Sequence, residues 1–107
     1  MRIKTKHGET GAVKNITYRN IKLEGITKYG IIVDQSYGDK GEAATSGVPI
    51  TGFKLVNITG TVAAGATGIF VNCGDASSCA DWTWSGISVT GGKRSTKCAN
   101  VPSGISC

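Results

Sequence analysis

The fold class this sequence predicts is an all-β parallel β-helix of about three coils. Three observations point to it: a strand-and-turn composition, a repeated segment whose apolar side switches face midway, and a long polar insertion between copies. Glycine is abundant at 16 residues, Thr, Ile and Val are frequent, and Leu is nearly absent. That balance favours pleated strands and tight turns over helices. A chain of 107 residues has room for one core, so residues 1–107 are read as a single domain.

The repeat comprises ITYRNIKLEG from Ile16, VPITGFKLVN from Val48 and WTWSGISVTG from Trp82. Aligned, Ile16, Val48 and Trp82 match, as do Tyr18, Ile50 and Trp84, then Ile21, Phe53 and Ile87, then Leu23, Leu55 and Val89. Apolar residues alternate within each copy, the mark of a strand with one buried face. The alternation slips by one residue midway, however, and a flat strand would then turn its buried side outward. A sharp corner removes the conflict if one residue there takes a left-handed backbone. In this alignment Asn20, Gly52 and Gly86 stand at that point, and Gly and Asn tolerate such a conformation. Short strands joined by one-residue corners describe the coils of a solenoid. An antiparallel β-sandwich also shows short strands and turn signals, but it gives no reason for the slip to recur at Asn or Gly.

A second matched pair, YGIIVDQ from Tyr29 and TGIFVNC from Thr67, follows the first two copies. The copies are spaced more widely than a bare coil requires, and the surplus sits in the polar stretch SYGDKGEAATSG, Ser36 to Gly47. Solenoids carry such insertions on one face, often the binding face. Trp82 and Trp84 fall on core-facing repeat positions, so they are read as packing the last coil and not as a sugar-stacking pair.

The chain opens MRIKTKHGE. In a strand, Arg2 and Lys4 project to one side while Ile3 faces the core. A guanidinium fork beside an ammonium suits a carboxylate, although a basic first strand can equally present solvated charges. Net charge is +5, spread along the chain. No basic run forms a nucleic-acid arm, aromatics are too few for a base-stacking platform, and no apolar stretch approaches membrane-spanning length. A dispersed positive charge fits a polyanion such as an acidic polysaccharide.

Cys73, Cys79, Cys98 and Cys107 all lie in the last third, and four cysteines permit three pairings. The short loops CGDASSC and CANVPSGISC favour the two local ones, Cys73–Cys79 and Cys98–Cys107. A zinc site is the competing reading, but these spacings are not the tight pairs such sites use, and His7 is distant. No metal or other cofactor is expected. Disulfides imply an oxidising compartment, and the sequons at Asn15 and Asn57 agree with secretion and mark both as glycosylation candidates. The first residues are polar and charged, unlike an export signal.

The stretches RIKT, NITYRNIKLEGITKYGIIVDQSY and CADWTWSGISVTGGKRSTKCANVPSGISC resemble the C-terminal portion of fungal endo-polygalacturonases, glycoside hydrolase family 28, over essentially the whole chain. The resemblance implies a secreted, right-handed parallel β-helix, here its C-terminal coils and a disulfide-closed tail. It implies inverting hydrolysis of α-1,4 bonds in the homogalacturonan of pectin by the full-length enzyme. By the same resemblance Arg2 and Lys4 hold galacturonate carboxylates and Tyr37 contacts substrate. The stretch DQSY departs from the pattern, with Asp34 and Ser36 where relatives usually carry Gln and Asp. The cysteine loops match the family's local disulfides, with CGDASSC somewhat longer than usual.

Inverting glycosidases need a carboxylic acid and a carboxylate base about 6.5–9.5 Å apart. In the family these come from N-T-D and D-D motifs joined by a His in G-H-G, all upstream of R-I-K, and none of the three occurs in this chain. His7 follows R-I-K and is read as a surface residue. Asp34, Asp39, Asp75 and Asp81 remain, and of these Asp34 lies nearest the expected cleft. A lone carboxylate is half of an acid–base pair, so all four are read as solvated or capping groups.

No catalytic residue is therefore assigned, and the isolated chain is expected to be inactive. The leading expectation is a polygalacturonase-family chain with substrate-positioning residues and homogalacturonan or pectate as partner. The alternative is a non-catalytic relative that binds pectate or occupies a plant polygalacturonase-inhibiting protein as a decoy. An unrelated carbohydrate-binding β-sandwich is a third. A first coil open on one side predicts low stability or self-association.

Overall fold

The computed structural model describes residues 1–107 and contains nine strands and no helix. They are β1 (Arg2–Lys4), β2 (Val13–Lys14), β3 (Thr17–Ile26), β4 (Tyr29–Asp34), β5 (Ile50–Thr51), β6 (Lys54–Val62), β7 (Thr67–Asn72), β8 (Cys79–Ala80) and β9 (Thr83–Thr90). Every strand pairs in parallel with the strand three places along, giving three sheets ordered β1-β4-β7, β2-β5-β8 and β3-β6-β9. Each turn of chain thus supplies one strand to each sheet, which is a parallel β-helix of three coils. Bridges from Thr67 to Lys93 and from Asn72 to Ala99 begin a further layer on the first sheet.

The corners lie where the parity slips. In β3 the pairing runs Thr17, Tyr18, Arg19, omits Asn20 and resumes at Ile21. Asn20, Asn57 and Gly86 form that column, with φ of 57°, 56° and 64°. The side chains of the first two are laddered, with Asn57 Nδ2 donating to Asn20 Oδ1 at 3.0 Å. The middle copy of the repeat is therefore displaced by five residues from the sequence alignment. Phe53 follows Ile16, Leu55 follows Tyr18 and Ile58 follows Ile21. Gly52 is also at a corner, but a different one: with Asn15 and Asp81 it forms a column between the second and third sheets, again at positive φ. The segment around Val48 holds two alternating runs separated by this second corner, and apolarity alone does not distinguish them.

Ile31, Val33, Ile50, Leu55, Ile58 and Val71 line the interior, where each coil closes its apolar side on the next. Phe53 is the central aromatic, meeting Trp82 edge-on at 5.2 Å, Trp84 at 5.8 Å and Tyr18 at 6.4 Å between ring centroids. Both tryptophans pack inward, as their repeat positions predict. Trp82 Nε1 donates to the Ile50 carbonyl at 2.9 Å, whereas the buried Nε1 of Trp84 has no partner. Both local disulfides are formed, Cys73–Cys79 and Cys98–Cys107. Each closes a short loop and stabilises the fold by about 2–3 kcal/mol on chain-entropy grounds.

Candidate functional site

Strand β1 alternates exposed, half-buried and exposed. Its register pairs Arg2 with Ile32 and Lys4 with Asp34, so all four project from the outer face of the first sheet. Ile3 turns the other way and packs on the core. Beyond β4 the chain folds back, because Tyr37 N donates to the Thr5 carbonyl at 3.0 Å. That bond brings the ring over β1. Arg2 Nη1 donates to the Tyr37 hydroxyl at 2.9 Å, and Arg2 Cζ and Lys4 Nζ lie 5.3 Å and 4.8 Å from the ring centroid. The three residues singled out in the sequence thus converge, and each exposed cation–π contact contributes about 0.5–1 kcal/mol.

Arg2 and Tyr37 edge a groove of about 340 Å³ shared with Met1, Lys28, Tyr29 and Ile32. Tyr29 is exposed and its ring centroid lies 5.9 Å from that of Phe70 on the next coil. Sequence reasoning missed Lys28, Tyr29 and Phe70. The parity of YGIIVDQ, carried outward as well as inward, was the signal available. A larger cavity of about 440 Å³ lies by Arg94, Ser106 and Cys107 and contains none of the three converging residues.

The remaining candidates are spread over the surface. Asp34 Oδ1 accepts from Ser36 N at 3.0 Å, Ser36 Oγ at 3.2 Å and Asn72 Nδ2 at 3.0 Å, tying β4 to β7. Asp39 Oδ2 accepts from His7 N at 2.8 Å. The His7 ring is exposed and bonds the Ala43 carbonyl through Nδ1 at 2.8 Å, with Glu42 3.4 Å from Nε2, so this surface residue also tethers the polar loop. Asp75 caps its own turn, accepting from Ser77 N, Ser77 Oγ and Ser78 N. Those bonds, led by the Ser77 hydroxyl, hold its pKa below the usual carboxylate value. Asp81 occupies a corner. Asn15 and Asn57 are exposed, each at a corner with φ of 56°.

One buried polar residue went unnoticed in the sequence. Gln35, fully enclosed between Asp34 and Ser36, donates from Nε2 to the Val48 carbonyl at 2.7 Å. Its Oε1 accepts from Gly74 N and from Ser78 Oγ, both at 2.8 Å. It joins the polar loop to the Cys73–Cys79 loop two residues before Tyr37. A Gln just past the end of an alternating strand gives no hint of burial, since the partners come from distant loops.

Fold and site together define a parallel β-helix that presents two cations and a tyrosine on one sheet face, an arrangement with the chemistry to hold an anionic, ring-shaped ligand. Comparison with known proteins is specific. The model of the glycosyl hydrolases family 28 matches residues 1–107, and the chain belongs to that family. It is 53% identical over 107 residues to endopolygalacturonase I of Aspergillus aculeatus and 53% identical over 109 residues to a polygalacturonase of Cochliobolus carbonum. It is 51% identical over 109 residues to a probable endopolygalacturonase A of Aspergillus fumigatus. All of this chain is covered in each case, but only 28%, 30% and 29% of the respective relatives. The chain therefore spans less than a third of their length.

Proposed function

We propose that this chain is the substrate-positioning, C-terminal portion of a secreted polygalacturonan hydrolase, with Arg2, Lys4 and Tyr37 holding a galacturonate unit. The observation that carries this reading is the convergence of Arg2 and Lys4 on the Tyr37 ring. Arg2 Nη1 spends one of five guanidinium donors on the tyrosine hydroxyl, which leaves others for a carboxylate fork. Lys4 adds a second cation, and the ring offers an apolar surface to the sugar. The names of the relatives, polygalacturonase and endopolygalacturonase, supply the substrate class.

Proton transfer is not assigned to this chain. Inversion requires two carboxyl groups spaced for an intervening water. On the sheet face beside Arg2 and Lys4 the one carboxylate is Asp34, while Asp39, Asp75 and Glu42 are engaged elsewhere. The isolated chain is accordingly a binder of homogalacturonan and not a hydrolase. The two sequons are candidate glycan sites on the corners.

The test is binding of the 107-residue chain to polygalacturonate, alongside reducing-sugar release. Expected are salt-sensitive binding, a loss of about 10- to 100-fold with Arg2→Ala as one charged hydrogen-bond partner goes, and no sugar release above the blank. Binding indifferent to both salt and Arg2→Ala overturns the carboxylate-clamp reading, and sugar release overturns the non-catalytic one.

A further inference from the structure

Asp34 is the one acidic side chain on the sheet face that carries Arg2 and Lys4, and its position in the stack is informative. It follows Lys4 directly in the column Lys4–Asp34–Asn72, so it faces the same side one rung further along. Adjacent rungs are spaced about 4.8 Å, comparable to the length of one sugar ring. A linear polysaccharide laid along the stack therefore sets one unit beside Arg2 and Lys4 and the neighbouring unit beside Asp34.

The charge of Asp34 is not cancelled by its neighbour. Lys4 Nζ sits over the Tyr37 ring, and no ion pair forms between Lys4 and Asp34. The turn and inter-coil bonds all converge on Oδ1, and Oδ2 has no protein partner. A structural cap uses one oxygen, and the second is left to accept from a ligand. A sugar hydroxyl fits that acceptor, whereas a second free carboxylate is repelled by it.

Resting on the reading of the Arg2 site as a galacturonate clamp, we propose that Asp34 is a specificity-determining residue. It selects an uncharged unit, such as a methyl-esterified galacturonate, next to the charged unit held by Arg2 and Lys4. The ligand class is thus partly esterified pectin, with free and neutral units side by side, in preference to fully de-esterified pectate.

The experiment measures affinity of the 107-residue chain for polygalacturonate and for partly methyl-esterified pectin of matched length at one ionic strength. Asp34→Asn keeps an acceptor at Oδ1 for Ser36 and Asn72 while removing the charge. It should tighten binding to polygalacturonate by about 3- to 10-fold and change binding to the esterified polymer by less than about twofold. Asp34→Gln, a second neutral variant, should shift the ratio the same way if the Asn variant folds poorly. An unchanged ratio in the folded neutral variant, with Arg2→Ala still weakening both polymers, overturns the role of Asp34 alone. Failure of the unmodified chain to bind either polymer overturns the clamp and the selectivity together.

Discussion

Gln35 and Ser78, 43 residues apart, meet in the interior, where the Ser78 hydroxyl donates to Gln35 Oε1 at 2.8 Å. The bond links the strand end that launches Tyr37 to the turn inside the Cys73–Cys79 loop. Gln35 also receives Gly74 N and donates to the Val48 carbonyl, so a single side chain satisfies three groups from two loops. The cationic face is outside this network, yet the geometry that puts Tyr37 over Arg2 begins two residues beyond it.

Replacing Gln35 by Leu keeps the volume nearly constant but leaves the Gly74 amide and the Val48 carbonyl without their partner, while the Ser78 hydroxyl keeps the Asp75 carbonyl at 3.1 Å. Each orphaned group costs about 1–3 kcal/mol, partly relieved by local opening, for a net loss of about 2–4 kcal/mol. Urea denaturation should show the lowered midpoint. A midpoint within error of the parent chain contradicts the network's role.

Phe53 is nearly fully buried and touches Tyr18, Trp82 and Trp84 across all three coils. Phe53→Ala opens a cavity that the stacked tryptophans, 5.7 Å apart, cannot collapse to fill. The expected cost is about 3–5 kcal/mol, against about 1 kcal/mol for Phe53→Leu. Tryptophan emission should move to longer wavelength with the alanine variant at denaturant concentrations where the parent is unshifted. Equal effects from Ala and Leu count against a packed aromatic centre.

The coil architecture was legible because a period-two pattern that slips at Asn or Gly has few solutions, and Asn20 and Gly86 do mark one column of corners. The middle copy was misaligned by five residues because two corners lie close together there, at Gly52 and Asn57, each with apolar residues beside it. Arg2 and Lys4 were readable from their spacing in a strand. Their meeting with Tyr37 needed more, since the hydrogen bond from the Tyr37 N–H to the Thr5 carbonyl joins segments distant in sequence. Gln35 was invisible for the same reason: its burial is decided by loops that close over it and not by the strand that precedes it.

Asp75 offers a test of pH dependence. Its carboxylate accepts from the Ser77 hydroxyl and amide and from the Ser78 amide, and these bonds lower its pKa from the ordinary 3.8. A depressed folded-state value means the unfolded chain binds the proton more readily, so the contribution to stability is complete above the ordinary carboxylate value. It is lost as pH falls through the lowered one. Asp75→Ala removes the acceptor at every pH. The stability gap between parent and variant, measured by thermal melting, should therefore be steady from neutral pH down to about 5 and close progressively below about 4. Asp75→Asn retains an acceptor that does not titrate, and its stability relative to Asp75→Ala should stay level across the same range. A parent–Ala gap that widens on acidification reverses the sign of the linkage and removes the turn-capping role from Asp75.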